Sequence, residues 1–538
     1  MANGYVIALA LVVAWWALVL FFKKRGTLEK YNMSNWGPFL MWRTQKGKDV
    51  IERLSRPGRF WNAYAAVSKA IVVFAMVFMV ALLVWEAFLV SRVPAEDAPG
   101  VEMMLGLPGI NPLIPIGYGI LGLVVAIIVH EFAHGILTRV AKIPVKALGL
   151  VWLVVPMGAF VEPDEEGITK TERKKRMNIY AVGPATNIIL ALICAFLFSS
   201  VVVASAEPVG DGPVVLSILE DSPADVAGLE YGSQIVSWNG VEINSQDDWS
   251  QVPNVYPGQN ITLTYFYDGD YYTVNTTAGV VLTSVSSDYP AYDAGIRSGM
   301  MIVSLNDTII YNDQTLKDVL ANTTPGQTIN VTVALYDEAG MTWENETGIT
   351  TVTLDSKLDY YEDNGISIPD DFEDVGFLGI NSAYMGASVM EPKDLLAWLN
   401  DPYQDVSSPG EFFTASMRYI ALPFYSLAPV QSPLTDLFEP TGAFAWMGTG
   451  GFWVFANCLY WVFWINIMVG LTNALPAVPL DGGFIFKDYI DGFVDKVKKN
   501  ASAEEKEKLR AKVGKLVTFF AIFIFFLIIW QMIGPRVL

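Results

Sequence analysis

Six apolar runs, near residues 5–22, 68–90, 113–139, 178–204, 452–475 and 513–533, are each long enough to cross a bilayer. In hydrocarbon every backbone N–H and C=O must find its partner within the structure, so such runs are expected as helices. With 52% hydrophobic residues over 538 positions, the chain is too apolar for a soluble domain. The expected fold class is therefore a polytopic α-helical membrane protein of about six spanning helices. Everything polar has to be accommodated around that frame.

Charge divides the rest. Residues 205–410 carry 32 acidic and 4 basic side chains, against 23 acidic and 31 basic elsewhere. An acidic block beside a basic remainder fits one large polar region on one side of a membrane and excludes a nucleic-acid binder. Loop 23–67 holds ten Lys or Arg, loop 139–176 holds eight, and 487–515 is lysine-rich. The positive-inside rule places these three in the cytoplasm, leaving the amino terminus, 91–112, 205–450 and the carboxyl terminus outside. Parity then requires 411–428, a semi-apolar stretch with Arg418, Pro423 and Pro429, to lie on the membrane or dip into it. Six of the eight Asn-x-Ser/Thr sequons, at Asn260, Asn275, Asn306, Asn322, Asn330 and Asn345, fall in the outer region. Cys194 and Cys458 sit in apolar runs and give no disulfide framework.

The outer region contains a repeat. Residues 223–240 (PADVAGLEYGSQIVSWNG) and 290–307 (PAYDAGIRSGMMIVSLND) match at an offset of 67, and Pro257-Gly258-Gln259 recurs as Pro325-Gly326-Gln327. Each copy reads as a short helix after Pro, a Gly-closed turn, a buried Ile-Val strand and an Asn-led turn, followed by alternating strand pattern. Two small β-rich units are expected, over 205–280 and 281–355. The pattern resembles PDZ domains, especially the tandem pair inserted in some membrane proteases. That resemblance implies modules that take up a peptide as an added strand or that act structurally or as a gate.

The chemistry lies in the third apolar run. The chain's two histidines fall there as His130-Glu131-Phe132-Ala133-His134. Imidazoles at i and i+4 share a helix face and can ligate one zinc, with the intervening Glu131 placed to work as a base. Ionisable groups at membrane depth are costly and are a functional signal. A catalytic zinc takes three protein ligands, and with no third histidine the last must be a carboxylate, a thiolate or a backbone group. The span at 452–475 runs into Asn473-Ala-Leu-Pro476-Ala-Val-Pro479-Leu480-Asp481-Gly482-Gly483. There the interrupted helix brings Asp481 to the depth of the histidines. A third element, Gly183-Pro184-Ala185-Thr186-Asn187, permits close helix approach and offers Asn187 as a donor.

In that order, these three motifs resemble the site-2 proteases, zinc proteases that work inside the membrane. The resemblance implies Zn²⁺ on His130, His134 and Asp481, with Glu131 as general base. It also implies Asn187 or Asn473 on the substrate backbone or oxyanion, and a re-entrant strand around Val154–Val161, including Gly158, that pairs with unwound substrate. Partners would be the lipid bilayer and transmembrane proteins already trimmed by another protease, cut near the cytoplasmic face. The domain plan is two leading helices with a basic loop (1–112), the first half of the core (113–204), the PDZ-like pair, an outer linker with a membrane-surface segment (356–450), the Asp481 helix (451–486) and a last span (487–538). The competing reading is a catalytically silent membrane-helix scaffold or chaperone.

Overall fold

The computed structural model describes residues 2–90, 100–104, 106–337, 342–344, 349–363, 368, 372–404, 406–497 and 502–537. The sequon at Asn345 and part of the 91–112 loop lie outside these. The chain forms two compact units, one of Met1–Phe198, Ile420–Pro429 and Phe455–Leu538, the other of Ser199–Tyr419 and Val430–Val454.

The first unit is helical. Its main elements are α1 (Ala2–Lys24), α2 (Gly58–Leu89), α3 (Ile116–Val140), α4 (Arg173–Phe196), α5 (Gly448–Asn473), α6 (Asp481–Val497) and α7 (Ala503–Val537). Among the described residues, five helices are long and apolar enough to span a bilayer: Gly58–Leu89, Ile116–Val140, Arg173–Ser205, Gly442–Asn473 and Lys508–Val537. The chain is thus a multi-pass membrane protein, and α1 coincides with the first apolar run.

Lipid removes the hydrophobic drive between helices, so close approach depends on small residues. A Cβ at Gly122 of α3 would stand 2.7 Å from the Trp461 carbonyl of α5, and one at Gly470 of α5 would stand 3.0 Å from the Pro184 carbonyl of α4. These glycines let three helices touch backbone to backbone. Helices α2 and α7, for which the sequence offers no motif, have a definite place. Leu83, Ile524 and Leu527 enclose Leu475 in one apolar cluster with Ala477 and Leu480, so the outer helices buttress the turn leading to Asp481.

A four-stranded antiparallel sheet completes this unit, in the order β1 (Met33–Trp36), β2 (Phe39–Thr44), β3 (Val145–Leu153), β4 (Val155–Pro163). The stretch around Val154–Val161 is thus β4, paired with β3 through Leu148↔Val161 and Val151↔Gly158. The basic loop 23–67 holds the β1–β2 hairpin, joined to β3 through Leu40↔Trp152 and Thr44↔Leu148. Its pairing partner lies about a hundred residues away, and no local pattern announces it.

The second unit carries two antiparallel sheets. One runs β8 (Asp270–Thr277), β7 (Asn260–Tyr267), β6 (Gln234–Trp238), β5 (Val214–Ile218), β15 (Ala387–Met390). The other runs β12 (Thr342–Glu344), β11 (Thr328–Asp337), β10 (Met301–Leu305), β9 (Val280–Val285), β14 (Ile380–Tyr384), with β13 (Ile349–Thr353) also on β11. The repeated Ile-Val-Ser segments form the corresponding strands β6 and β10. The segment 356–450, expected as a linker, supplies the closing strand of both sheets. β14 and β15 are joined by Met385 and Gly386, both at positive φ (58° and 79°). A Cβ at Gly386 would sit 2.4 Å from Ser222 Cβ, so both conformation and space call for glycine there. One apolar core, with Trp238, Trp249, Leu263, Leu305 and Tyr384 all nearly inaccessible, runs through both sheets. The 411–428 stretch begins in a helix over Pro409–Ile420 and continues as a short turn over Leu422–Tyr425.

Candidate metal centre and active site

Helix α3 places His130 and His134 one turn apart on the same face, and Asp481 opens α6 from the far end of the chain. Nε2 of His130 and Nε2 of His134 are 3.1 Å apart, and Asp481 Oδ2 lies 3.1 Å from the first and 3.2 Å from the second. His134 Nδ1 is 2.6 Å from the Ile179 carbonyl of α4, which can only accept. Nδ1 therefore carries the hydrogen, and Nε2 presents its lone pair toward Asp481.

A carboxylate oxygen and an imidazole lone pair this close repel unless a cation or a shared proton lies between them. The donor set fits zinc on geometric grounds. Ligands at zinc–donor distances of about 2.0–2.1 Å in a tetrahedron stand about 3.3 Å apart, close to all three observed separations. His130, His134 and Asp481 form a group whose ligand atoms could hold one metal ion.

The three residues line a cavity of about 310 Å³ that also contains Glu131, Asn473, Ile179, Val161 and Pro163. Glu131 is held by an edge of the sheet, its Oε2 accepting from the Val161 backbone N–H at 3.0 Å. Asn473 lines the cavity while its amide donates to the Val469 carbonyl of its own helix. Asn187 sits elsewhere. It is fully buried, both its side-chain polar atoms lack a partner among the described residues, and it is absent from the cavity lining. Gly158 is on β4, where an added Cβ would make ordinary contact with Ile127 at 3.8 Å.

Sequence reasoning missed two participants. A Cβ at Gly183 would lie 2.3 Å from His134 Nε2 and 2.8 Å from His130 Nε2, so this glycine leaves the space in which the ligands meet. The signal was present as the first residue of the Gly183–Asn187 motif. The Ile179 carbonyl left none, because any residue supplies a carbonyl. Pro184 interrupts the α4 ladder shortly after it.

Converging metal donors with the Glu131 carboxyl in the same cavity, all among membrane helices, are the arrangement of a membrane metallopeptidase. Residues 118–521 match the model of Peptidase family M50, and the chain belongs to that family, the site-2 zinc metalloproteases. It is 30% identical over 255 residues to an uncharacterised protein of Methanocaldococcus jannaschii, covering 47% of this chain and 64% of that one. It is 33% identical over 111 residues to zinc metalloprotease RasP of Shouchella clausii, covering 20% and 24%. A further match, 27% over 139 residues, is to a DegP-like periplasmic serine endoprotease of Brucella suis, covering 18% and 27%. The matched stretches thus span less than two thirds of each of these relatives.

Proposed function

We propose that this protein is an active zinc endopeptidase that cuts transmembrane segments of other membrane proteins near the cytoplasmic face. The observation that carries the reading is the triangle of His130, His134 and Asp481 donor atoms, with sides of 3.1–3.2 Å, in one cavity with Glu131. His130, His134 and Asp481 would hold the zinc. Bound there, zinc supplies Lewis acidity, favouring ionisation of water and polarising the scissile carbonyl.

The chain's own groups do the rest. Glu131 takes the proton of the attacking water and returns it to the leaving amine. Its hydrogen bond from Val161 fixes which oxygen stays free for that exchange. The edge of β4 away from β3 has no strand partner among the described residues and runs past Glu131. An unwound substrate can add there as a strand and reach the base in extended form. Helix-weakening residues near the cut should favour a substrate, since a peptide bond in an intact helix is shielded by its own hydrogen bonds. Asn473 faces the same cavity and is the better placed of the two asparagines to contact substrate. The outer acidic region is read as a PDZ-like pair that admits or selects substrates trimmed beforehand, with the basic loops in the cytoplasm.

The test is cleavage of a tagged panel of single-span membrane proteins by the purified protein in detergent, wild type beside Glu131→Gln. Cuts within the span that require Glu131 are expected. Zinc-loaded wild type that cuts nothing across a broad panel would favour a silent helix-binding scaffold.

A further inference from the structure

The metal ligands come from two helices far apart in sequence, and a third helix holds both. Helix α4 packs on α3 and on α6. Toward α3 it presents the Ile179 carbonyl to His134. Toward α6 it presents Arg176, whose guanidinium binds Asp488 with two parallel hydrogen bonds, Nε to Oδ2 at 2.8 Å and Nη2 to Oδ1. Between these contacts the rings of Tyr180 and Phe484 stack, centroids 4.8 Å apart and 15° from parallel. Arg176 and Ile179 are one turn apart on α4, and Asp488 is two turns beyond Asp481 on α6.

The pair differs from its neighbour. The side chains of Arg176 and Asp488 are 22% and 5% exposed, whereas Arg173 and Asp495, which join the same two helices seven residues further along α6, are 33% and 32% exposed. Arg176 also reaches the carbonyls of Thr169 and Thr171, so its head is fixed from two directions. A forked arginine–carboxylate pair with its carboxylate buried defines both distance and rotation between helices, which a single exposed contact does not. The other side of Asp481 is equally confined. A Cβ at Gly482 would stand 2.1 Å from the Ala474 carbonyl, so the first turn of α6 is pressed against the preceding turn.

We propose that Arg176 and Asp488 are positioning residues for the metal centre: through α4 they set where Asp481 stands relative to His130 and His134. The inference rests on the zinc-peptidase reading and adds to it the device that closes the ligand set.

The experiment measures zinc affinity of the purified full-length protein in detergent by competition with a chelator, with the thermal unfolding midpoint alongside. Arg176→Lys keeps the charge but loses the fork, Asp488→Asn loses the charge, and Asp495→Asn is the control on the same helix pair. Arg176→Lys and Asp488→Asn should weaken zinc binding about tenfold or more, while Asp495→Asn leaves it within twofold of wild type whatever it does to the midpoint. If Asp488→Asn does not fold, Arg176→Lys decides alone. Zinc affinity unchanged in Arg176→Lys, or lost equally in Asp495→Asn, overturns the proposal. Wild type that takes up no zinc at all would instead overturn the peptidase reading beneath it.

Discussion

The backbone N–H of Val161 donates to Oε2 of Glu131 across 3.0 Å, tying a helix carboxylate to the strand beside it. Val161 uses this N–H outward from the sheet, so the bond lies on the edge of β4 that β3 leaves open. Carboxylate and strand edge are thereby placed as one piece, and under the proposed function a peptide added to that edge would arrive in a defined register with Glu131.

Val161→Pro removes this donor without removing a β3 ladder bond. A hydrogen bond to a charged acceptor contributes about 1.5–3 kcal/mol, and about 1.4 kcal/mol is a factor of ten in rate. Turnover should fall about tenfold or more with zinc content intact, as read by kcat and metal analysis on the same sample. Full activity in Val161→Pro would show that Glu131 needs no anchor.

Glu131→Gln and Asp481→Ala should fail differently. The first keeps three metal donors and loses the base, so zinc stays near one per chain while turnover drops about 10²–10⁴-fold. The second loses a donor and should cost more zinc affinity than the roughly 10–100-fold typical of outlying partners. Chelator treatment should reproduce the activity loss of Asp481→Ala in wild type, and added zinc should reverse it only there. Zinc retained by Asp481→Ala would remove this residue from the ligand set.

Gly183→Ala reverses the usual rule. In a helix interior this change favours folding by about 1 kcal/mol, but here the new methyl would stand 2.3 Å from His134 Nε2. The expectation is lost zinc and lost turnover, with the helix gain offset by the strain of displacing the two histidine rings, so that the protein still folds. An active Gly183→Ala protein would mean that the histidines can retreat without cost.

Asp313 gives the outer region a pH dependence. Its Oδ2 accepts from the Tyr384 N–H at 3.1 Å, while Oδ1 is shut off from solvent with no partner among the described residues. Burial pushes its carboxyl up to about 6, against the pull of the Tyr384 N–H and of Lys317. The folded state therefore holds a proton that the unfolded chain releases near pH 4, so stability is full below about pH 4 and declines as pH rises through about 6. The loss is up to about 3 kcal/mol. Unfolding of the full-length protein, followed by tryptophan fluorescence in denaturant between pH 4 and 7, should show this slope in wild type and a flatter one in Asp313→Asn. Equal slopes would locate the titration elsewhere.

The parts of this molecule that could be read from the sequence are those whose signal is local. The His130–His134 spacing, the Pro and Gly break around Asp481, and the offset repeat of Ile-Val-Ser strands each fit within a few residues. What escaped is what pairs over distance. The β1–β2 hairpin finds β3 across about a hundred residues, and β14 and β15 return to sheets begun far upstream. Strand pairing is fixed by what lies opposite, which no single window contains. Arg176 and Asp488 carry no local signal, because what sets them apart is the fold that buries Asp488 and not their residue type.

The two-residue turn at Met385–Gly386 carries a consequence for biosynthesis. Strand β5 is laid down early, but β15, its neighbour on the sheet edge, appears only after the whole second sheet has been made. As the chain emerges from the ribosome, the first module must wait with that edge bare until Met390 has followed. A stop between the two repeats would thus strand the earlier module unfinished, an exposed edge being a template for aggregation.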